Sequence, residues 1–486
     1  MTLIVRSPRD RAAERKYILD VILADWLGLS YHLVAEDRRG TVIQLAGDPQ
    51  AYELALTDLF LATSPGDWLT ERSMPKPPLV RLTMQPFWPV QVAPRAAQAH
   101  TLPAEPIPVL FCDPGANGSV WRRTPTGLTT PADLLGSAFF LLTRYEEVVR
   151  TIRDRHDRFP ASASLAAEDA FLERPVVDEY VDHLWMALHY LWPSLVRRPT
   201  TFRLRPTHDV DSLFAVFGQS ALTVARALVG DVLRRRDPGL AARRVRSIFD
   251  AVSGRVDRDP FNTFDLLMDA SERHGLQAVF YFMAGNSPGD FDFRYQIFDG
   301  PVVALLRRIH ERGHEVGLHA SYLSHRSEEQ TIVEFGALKE ACRMAGFEQS
   351  TWGVRQHYLR FATPETWRIH EAAGFEHDST LGFADNVGFR AGTCREFPVF
   401  DLVESRRLRL RERPLLMMDK TMLQDLALDP DQAVARARLI GETCRRHRGD
   451  AVMLYHNSSL PGARMRAHYD HLVDELAEAI NADAPG

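Results

Sequence analysis

The sequence predicts an α/β protein in which a (β/α) domain, residues 201–486, follows a smaller α/β or α+β domain, residues 1–200. From residue 260 onward, short apolar segments alternate regularly with amphipathic helical segments. Repeated β–α units form a mainly parallel sheet covered by helices, either open or closed into a barrel. We place the domain boundary near residue 200 because prolines and arginines in 192–200 interrupt both periodicities.

Bulk properties exclude several classes of function. The chain has 486 residues, with 45% hydrophobic and 25% charged content, which is ordinary for a globular protein of two or three domains. A net charge of −6 gives no reason to expect nucleic acid or an anionic membrane as a partner. We expect a cytoplasmic protein, because the sequence shows no signal peptide and no membrane span. Four widely spaced cysteines are typical of reduced thiols: Cys112, Cys342, Cys394 and Cys444.

The N-terminal domain is predicted to contain both helices and strands. Its predicted elements are a helix at 14–29, strands at 31–34 and 41–45, and helices at 134–149 and 176–191. The charged residues Arg144, Glu146 and Glu147 are expected to form a solvated helix face. The polar stretch 151–170, rich in Ala and Ser, is expected to be a surface loop.

Strand–helix pairs are predicted through the rest of the chain. Predicted strands lie at 202–205, 277–283, 315–319, 350–355, 375–378 and 451–455. Predicted helices lie at 263–274, 301–312, 327–345, 364–373, 430–447 and 464–480. A helical insertion at about 213–260 separates the first two strands, and Arg234 to Arg236 make it basic. We interpret it as a solvated helix pair, with a lid or a dock for an anionic lipid- or nucleotide-linked substrate as the alternative.

An Asp-x-Asp pair follows the first predicted strand of the second domain. Asp209 and Asp211 are two residues apart, so on an extended backbone both carboxylates point to the same side. Two like charges that close disfavour each other's ionisation unless a cation neutralises one of them. We interpret the pair as one metal-binding carboxylate and a free neighbour that can act as a base. A helix-capping turn would also explain Asp-x-Asp taken alone.

Further predicted strands also end in polar residues. These are His319, then Arg355 with Gln356 and His357, then Asp378, and finally His456 with Asn457. Because βα loops gather functional groups at the carboxyl ends of barrel strands, five such strand ends together predict a site. Neutral imidazole suits zinc and neighbouring divalent ions, which makes His319 a candidate ligand. A lone His without a metal-spaced partner is more often structural.

These segments resemble the polysaccharide deacetylase (NodB-homology) family of carbohydrate esterases, which hydrolyse N- or O-acetyl groups from sugars. The resemblance covers about residues 201–460, in family order: THDVD at 207–211, GHEVGLH at 313–319, GVRQHY at 353–358, Asp378, and LYHN at 454–457. It implies a distorted (β/α) barrel. The first 200 residues, including FFLLTRYEE at 139–147, resemble an uncharacterised domain that accompanies such deacetylase-like domains in bacterial proteins.

The resemblance implies a divalent metal ion, with zinc expected and cobalt or nickel as alternatives. Asp211 and His319 match metal ligands of the family. The second metal-binding His of the family normally follows the first by four residues, but position 323 is Leu here. His325 and His357 are therefore both candidates for the third ligand.

The resemblance also implies catalytic roles. Asp209 matches the base, which Arg355 would hold, although Val210 separates the two carboxylates that are usually adjacent in the family. His456 matches the general acid, which Asp378 would orient. A backbone N–H near Tyr358 would stabilise the oxyanion.

Three functions remain open at the level of sequence. The first is a metal-dependent hydrolase that removes acetyl groups from an amino sugar or polysaccharide precursor, with a carbohydrate substrate that is nucleotide- or lipid-linked. The second is a non-catalytic carbohydrate-binding or scaffold protein, which Leu323 favours. The third is an amidase of a different substrate class, since a fold does not fix the substrate. The retained acid, base and orienting residues favour the hydrolase.

Overall fold

The N-terminal part of the chain is built around a six-stranded mixed sheet. The computed structural model describes residues 1–83, 106–216, 221–233, 238–252, 259–288, 291–292, 295–460 and 462–481. The first eight strands are β1 (Thr2–Pro8), β2 (Ser30–Glu36), β3 (Thr41–Leu45), β4 (Glu53–Leu56), β5 (Val80–Leu82), β6 (Ile107–Val109), β7 (Arg122–Thr124) and β8 (Gly127–Thr130). The sheet order is β2-β1-β3-β4-β8-β7, and β5 pairs with β6. Both strands predicted here are confirmed, as β2 and β3.

Five α-helices accompany this sheet in the part of the N-terminal region that the structure describes. They are α1 (Ala12–Leu19), α2 (Leu134–Leu142), α3 (Tyr145–Val149), α4 (Leu165–Glu168) and α5 (Val176–Leu191). The predicted helix at 14–29 corresponds to α1 and a π-helical continuation over Asp20–Trp26. The predicted helix at 134–149 is broken into α2 and α3 because Arg144 adopts a left-handed conformation, with φ 53°. The predicted helix at 176–191 is confirmed as α5.

The charged face predicted to be solvated is buried, so that prediction is wrong. Arg144, Glu146 and Glu147 are all at most 2% exposed. The Glu147 carboxylate lies 2.8 Å from Arg144 Nε and 2.6 Å from Arg390 Nη2. Arg390 lies 243 positions later in the chain, so local charge pattern could not distinguish a solvated helix face from this buried ion-pair network.

The stretch 151–170 is not a simple surface loop, which corrects a second prediction. His156, Phe159 and Leu165 are buried within it, and it contains α4. Its polar composition is explained by partners elsewhere: the Ala161 backbone N–H, for example, donates to Asp385 Oδ1 over 3.1 Å.

A nine-stranded sheet forms the second half of the structure. Its strands are β9 (Arg203–Val210), β10 (Val279–Phe282), β11 (Glu315–Ala320), β12 (Gly353–Gln356), β13 (His377–Asp378), β14 (Phe397–Asp401), β15 (Arg406–Glu412), β16 (Met417–Met418) and β17 (Asp450–Leu454). The order is β14-β15-β13-β12-β11-β10-β9-β17-β16, and every recorded pairing is parallel except β14 with β15. The sheet curls into a half-barrel. Within the described residues β14 and β16 each pair on one side only, so the predicted barrel is realised as an open form.

Eight α-helices lie in the described residues of this half. They are α6 (Ala221–Leu233), α7 (Pro238–Val252), α8 (Phe264–Glu272), α9 (Gly300–Glu311), α10 (Glu328–Met344), α11 (Glu365–Ala373), α12 (Pro430–Arg446) and α13 (Ala463–Asn481). Helices α6 and α7 occupy the stretch predicted as a helical insertion, whereas Arg234 to Arg236 lie outside the described residues. No helix in the described ranges is long and apolar enough to cross a membrane.

The N-terminal part packs against the edge strand β14. The Tyr17 hydroxyl donates to the Pro398 carbonyl over 2.8 Å, and Trp26 Nε1 donates to the Glu396 carbonyl over 3.1 Å. The Tyr17 and Phe400 rings lie 4.8 Å apart, which adds an apolar contact. Carbonyls at and beside this sheet edge are thereby satisfied by side chains of the N-terminal part.

Candidate metal centre

Three potential metal ligands converge at the carboxyl ends of the parallel strands. Asp211 directly follows β9, His319 lies near the end of β11, and His357 directly follows β12. One ligand atom from each lies within 4.8 Å of the others, and all three residues are buried. Asp211 Oδ1 is 3.2 Å from His319 Nε2 and 3.7 Å from His357 Nε2. The strand order brings together residues that are up to 146 positions apart in the sequence.

Hydrogen bonds on the far side of each imidazole aim its other nitrogen at the centre. His319 Nδ1 lies 3.0 Å from the Arg355 carbonyl oxygen, and His357 Nδ1 lies 2.7 Å from Asp292 Oδ1. Because a carbonyl and a carboxylate accept, both rings donate from Nδ1 and turn Nε2, the atom available to a metal ion, towards Asp211. Such outer partners fix ring orientation in metal sites. Two imidazoles and one carboxylate with remaining open positions fit a catalytic divalent ion such as zinc.

Asp292 is a partner of the candidate ligand His357 that sequence reasoning missed. It accepts hydrogen bonds from the backbone N–H groups of Ser287, over 2.6 Å, and Tyr322, over 3.0 Å. Burial raises the pKa of Asp292, but the bonds from His357 and Ser287 outweigh it and hold that pKa below its ordinary value. Asp292 lies in a loop after β10, outside every predicted strand end, so no sequence signal marked it.

The structure separates the two candidates for the third ligand. His357 belongs to the ligand group, whereas His325 lies beside Asp157, with Nε2 3.7 Å from Oδ2. Burial lowers the pKa of His325 to about 4, so its ring is neutral at physiological pH. His325 is therefore a buried histidine outside the centre.

Asp209 lies beside the ligand group, and Arg355 fixes its carboxylate. Its Oδ1 accepts from Arg355 Nη1 over 3.1 Å, which is the contact expected from the sequence. Its Oδ2 lies 3.7 Å from His319 Nε2, so Asp209 and Asp211 do face the same ring. Arg355 is fully buried and also donates to the Ser379 carbonyl over 2.8 Å, which fixes its guanidinium.

A glycine at position 317 makes room for the Tyr281 ring, which contacts the Arg355 guanidinium. The Tyr281 ring lies 4.6 Å from the Arg355 guanidinium carbon. A Cβ at Gly317 would lie 2.6 Å from that ring and 3.0 Å from the Gly353 carbonyl oxygen. The glycine at 317 thus permits the stack of Tyr281 under Arg355, a favourable cation–π contact.

The carboxylate that orients His456 is Asp419, not Asp378. His456 follows β17, and its Nδ1 lies 2.7 Å from Asp419 Oδ1, while its backbone N–H donates to Asp419 Oδ2 over 3.1 Å. His456 Nε2 then faces the centre, 3.5 Å from Asp211 Oδ2. Burial opposes ionisation of Asp419, but the charge of His456 and its hydrogen bond hold the Asp419 pKa below its ordinary value.

Asp378 lies in a different environment, which corrects the sequence prediction. Its Oδ1 accepts from the Thr380 backbone N–H over 2.9 Å, and its Oδ2 lies 3.3 Å from His370 Nδ1. Burial and the charge of Asp378 raise the pKa of Glu412 well above its ordinary value. The assignment failed because Asp419 follows the two-residue strand β16, which has too few residues to show a periodic pattern.

Lys420 adds a cation that the sequence analysis did not assign. Its Nζ lies 2.7 Å from Asp211 Oδ2, opposite the oxygen that faces the two imidazoles. Burial raises the pKa of Asp211, but Lys420, His456 and the hydrogen bond from His319 together hold it well below its ordinary value. The Lys420 side chain is 37% exposed, whereas those of Asp209, Asp211, His319, His357 and His456 are at most 5% exposed. Lys420 is therefore the most solvent-exposed of these six side chains.

Comparisons with known proteins give a family of unknown function and a set of distant structures. The model of that family, DUF7033, matches residues 3–193. No curated protein matches the chain. Among solved structures, a putative polysaccharide deacetylase from Mycobacterium smegmatis aligns at 16% identity and TM-score 0.35, over 60% of this chain and 93% of that one.

Two further solved structures are similar at the same level. The carbohydrate-esterase domain of a multidomain xylanase from the hindgut metagenome of Trinervitermes trinervoides aligns at 10% identity and TM-score 0.28, over 59% of this chain and 84% of that one. The polysaccharide deacetylase from Bacillus cereus aligns at 12% identity and TM-score 0.25, over 58% and 88%. Such low scores support no functional inference, which depends instead on the side chains of the centre.

Proposed function

We propose that this protein is a metal-dependent hydrolase that removes acetyl groups from an amino sugar or polysaccharide precursor. The observation that carries the proposal is the convergence of Asp211, His319 and His357, with one ligand atom from each within 4.8 Å of the others. Asp209 and His456 both lie next to this group, with Asp209 held by Arg355 and His456 held by Asp419. A base, an acid and a metal-ligand set in one buried cluster are the parts required for acyl hydrolysis.

The base half of the site is Asp209 with Arg355. A bound divalent ion would polarise the acyl carbonyl and lower the pKa of the attacking water towards ~7. Asp209 takes the proton of that water as the oxygen attacks the carbonyl carbon. Arg355 holds Asp209 Oδ1 over 3.1 Å and so leaves Oδ2 to face the centre.

The acid half is His456 with Asp419. Asp419 accepts from His456 Nδ1, so the proton on Nε2 is the one that the ring delivers to the leaving nitrogen when the C–N bond breaks. A backbone N–H near Tyr358 and the ammonium group of Lys420 are the proposed donors for the oxyanion, since Tyr358 follows the candidate ligand His357 and Lys420 contacts Asp211. We further propose that the protein works in the cytoplasm on a nucleotide- or lipid-linked carbohydrate.

Metal content tests the ligand set. After growth and reconstitution in zinc, cobalt or nickel, elemental analysis of the purified protein should give about one equivalent of metal. Asp211→Ala, His319→Ala and His357→Ala should each lose it. The control is His325→Ala, another buried histidine, which should keep its metal. Wild-type protein without metal, or equal loss in His325→Ala, would refute the proposed centre.

Acetate release tests the reaction itself. Wild-type protein with metal should release acetate from N-acetylated sugars. Asp209→Asn should retain metal and lose turnover by about a hundredfold or more, since it removes the base but leaves the ligand group intact. Release from acetylated peptides but not from sugars would indicate the amidase alternative.

The contact between Lys420 and Asp211 favours one second candidate. Lys420 Nζ, 2.7 Å from Asp211 Oδ2, already neutralises the carboxylate that the metal would bind. A carbohydrate-binding protein that holds the site together with Lys420 instead of a metal ion would show no metal content and no acetate release. Calorimetric binding of acetylated oligosaccharides by such a protein would establish this second function.

A further inference from the structure

A segment of the N-terminal part lies against the loop that follows β12. Arg158 Nη1 donates to the Tyr358 carbonyl over 3.1 Å, and Arg360 Nε donates to the His156 carbonyl over 2.8 Å. The segment 154–161 lies within the range matched by the family of unknown function, and Tyr358 immediately follows the candidate ligand His357. Two reciprocal hydrogen bonds thus join that family's domain to the wall of the metal centre.

Ring contacts add to this connection. The His156 ring lies 4.7 Å from the Tyr358 ring, and its Nδ1 lies 3.1 Å from the Tyr322 hydroxyl. The Arg360 guanidinium carbon lies 4.0 Å above the Tyr322 ring. His156 and Tyr322 are each 7% exposed, so these contacts are buried and ordered by packing.

The loop needs such support because its backbone is strained. Tyr358 and Leu359 have φ values of 62° and 54°, two consecutive non-glycine residues in the left-handed region. L-residues rarely adopt this conformation, and it persists only where surrounding contacts determine it. Arg158 therefore binds the Tyr358 carbonyl within the strained segment, where an unsupported backbone would return to a more common conformation.

The segment is itself fixed before it meets the loop. Asp154 Oδ1 accepts from the backbone N–H groups of His156, over 2.8 Å, and Arg158, over 2.9 Å. Asp154 Oδ2 accepts from Arg158 Nε over 2.8 Å. One carboxylate thus shapes the turn and aims the guanidinium, so Arg158 presents Nη1 to Tyr358 with little freedom left to lose.

We propose that the N-terminal domain supports the loop beside the candidate metal centre, with Arg158 and His156 as positioning residues: Arg158 holds the Tyr358 carbonyl and the His156 ring packs on the Tyr358 ring. The domain then acts as a structural support of the centre. Arg158 holds the carbonyl of Tyr358, the residue near which the proposed function places the backbone donor for the oxyanion. Neither residue contacts the three candidate ligands, so metal binding does not depend on them.

Hydrogen exchange of the full-length chain, read by mass spectrometry, tests this directly. Arg158→Met should speed exchange of the peptide 357–362 by about tenfold, the effect of losing one charged hydrogen bond. Arg158→Lys, which keeps a donor, should restore part of the protection. The matched control is Arg81→Met, which removes another Arg–Asp pair of the same domain, with Arg81 Nη2 2.7 Å from Asp169 Oδ2. The control should leave exchange at 357–362 unchanged.

Unchanged exchange at 357–362 in Arg158→Met, or an equal increase across the whole chain, would overturn the proposal. His156→Ala is the second variant if Arg158→Met does not fold, and it should also speed exchange of this peptide. A kinetic readout rests on the proposed function: Arg158→Met should lower kcat about tenfold with little change in KM or metal content. Wild-type protein that releases no acetate would refute the hydrolase alone, because the exchange result does not depend on turnover.

Discussion

His456 Nδ1 lies 2.7 Å from Asp419 Oδ1. The same carboxylate accepts the His456 backbone N–H, so ring and backbone are fixed by one residue. Because the ring cannot turn without breaking this bond, Nε2 stays directed at the centre, 3.5 Å from Asp211 Oδ2. Asp419 therefore determines both the tautomer and the direction of the proposed acid.

Asp419→Asn should reduce turnover by about a hundredfold while metal content stays the same, because the amide cannot stabilise a protonated ring as a carboxylate does. Asp378→Asn is the control, since Asp378 contacts Thr380 and His370 instead of His456. It should keep turnover within about threefold of wild type. Comparison of kcat at saturating substrate checks both, and a larger loss in Asp378→Asn would restore the original assignment.

Gly317→Ala should destabilise the protein by about 1–3 kcal/mol, a typical cost of overpacking. The added Cβ would meet the Tyr281 ring at 2.6 Å, and Tyr281 supports Arg355. Chemical unfolding measures the change. Gly336→Ala in helix α10 is the control: a Cβ there meets nothing within 4 Å, so helix propensity should raise stability by up to about 1 kcal/mol. Equal stability of the two variants would contradict this packing argument.

Because of the buried ion pair of Glu147 and Arg390, the free energy of unfolding should decrease in acid. Burial opposes ionisation of Glu147, but Arg390 and Arg144 outweigh it and lower its pKa to about 2 from 4.5. A depressed folded-state pKa stabilises the protein above the unfolded pKa and loses that contribution as pH falls from about 4.5 through about 2. The contribution is about 3 kcal/mol. Unfolding free energies of wild type and Glu147→Gln should differ most near pH 7 and converge in acid.

Glu146, the preceding residue, should show the opposite pH dependence. Burial raises its pKa to about 7, against the opposing charge of Arg144. A raised folded-state pKa means that the carboxyl costs stability as pH rises from about 4.5 through 7. Relative to wild type, Glu146→Gln should therefore gain stability over that interval. If the difference in unfolding free energy from wild type changed with pH in the same direction for Glu146→Gln and Glu147→Gln, the two opposite pKa shifts would be contradicted.

The site residues that the sequence could predict are those at the carboxyl ends of parallel strands, which meet at one edge of the sheet. Asp209, Asp211, His319 and Arg355 end strands with clear apolar patterns, and the structure brings all four together. Their spacing in the chain is irregular, but each lies at or near the end of a predicted strand. That shared position was enough to predict that they lie close together. The choice between His325 and His357 needed the structure, because the two residues follow the neighbouring parallel strands β11 and β12, whose carboxyl ends lie at the same edge of the sheet.

The residues that sequence reasoning missed lie outside periodic segments. Asp292 lies in a loop, and Asp419 and Lys420 follow the two-residue strand β16. The segment around His156 and Arg158 is polar because it binds the loop beyond β12, whereas polarity alone predicted exposure. Long-range partners, such as Arg390 for Glu147, leave no trace in local composition.

The contacts of Tyr17 and Trp26 with β14 have a consequence for association between molecules. An uncovered edge strand offers free carbonyl and N–H groups to a neighbouring chain and invites aggregation. Tyr17 and Trp26 bind carbonyls at this edge, so the N-terminal part shields it from edge-to-edge pairing. Removal of the first 200 residues would expose the edge of β14 to pairing with a strand of another molecule. We therefore expect residues 201–486 without the N-terminal part to be more prone to association than the full-length chain.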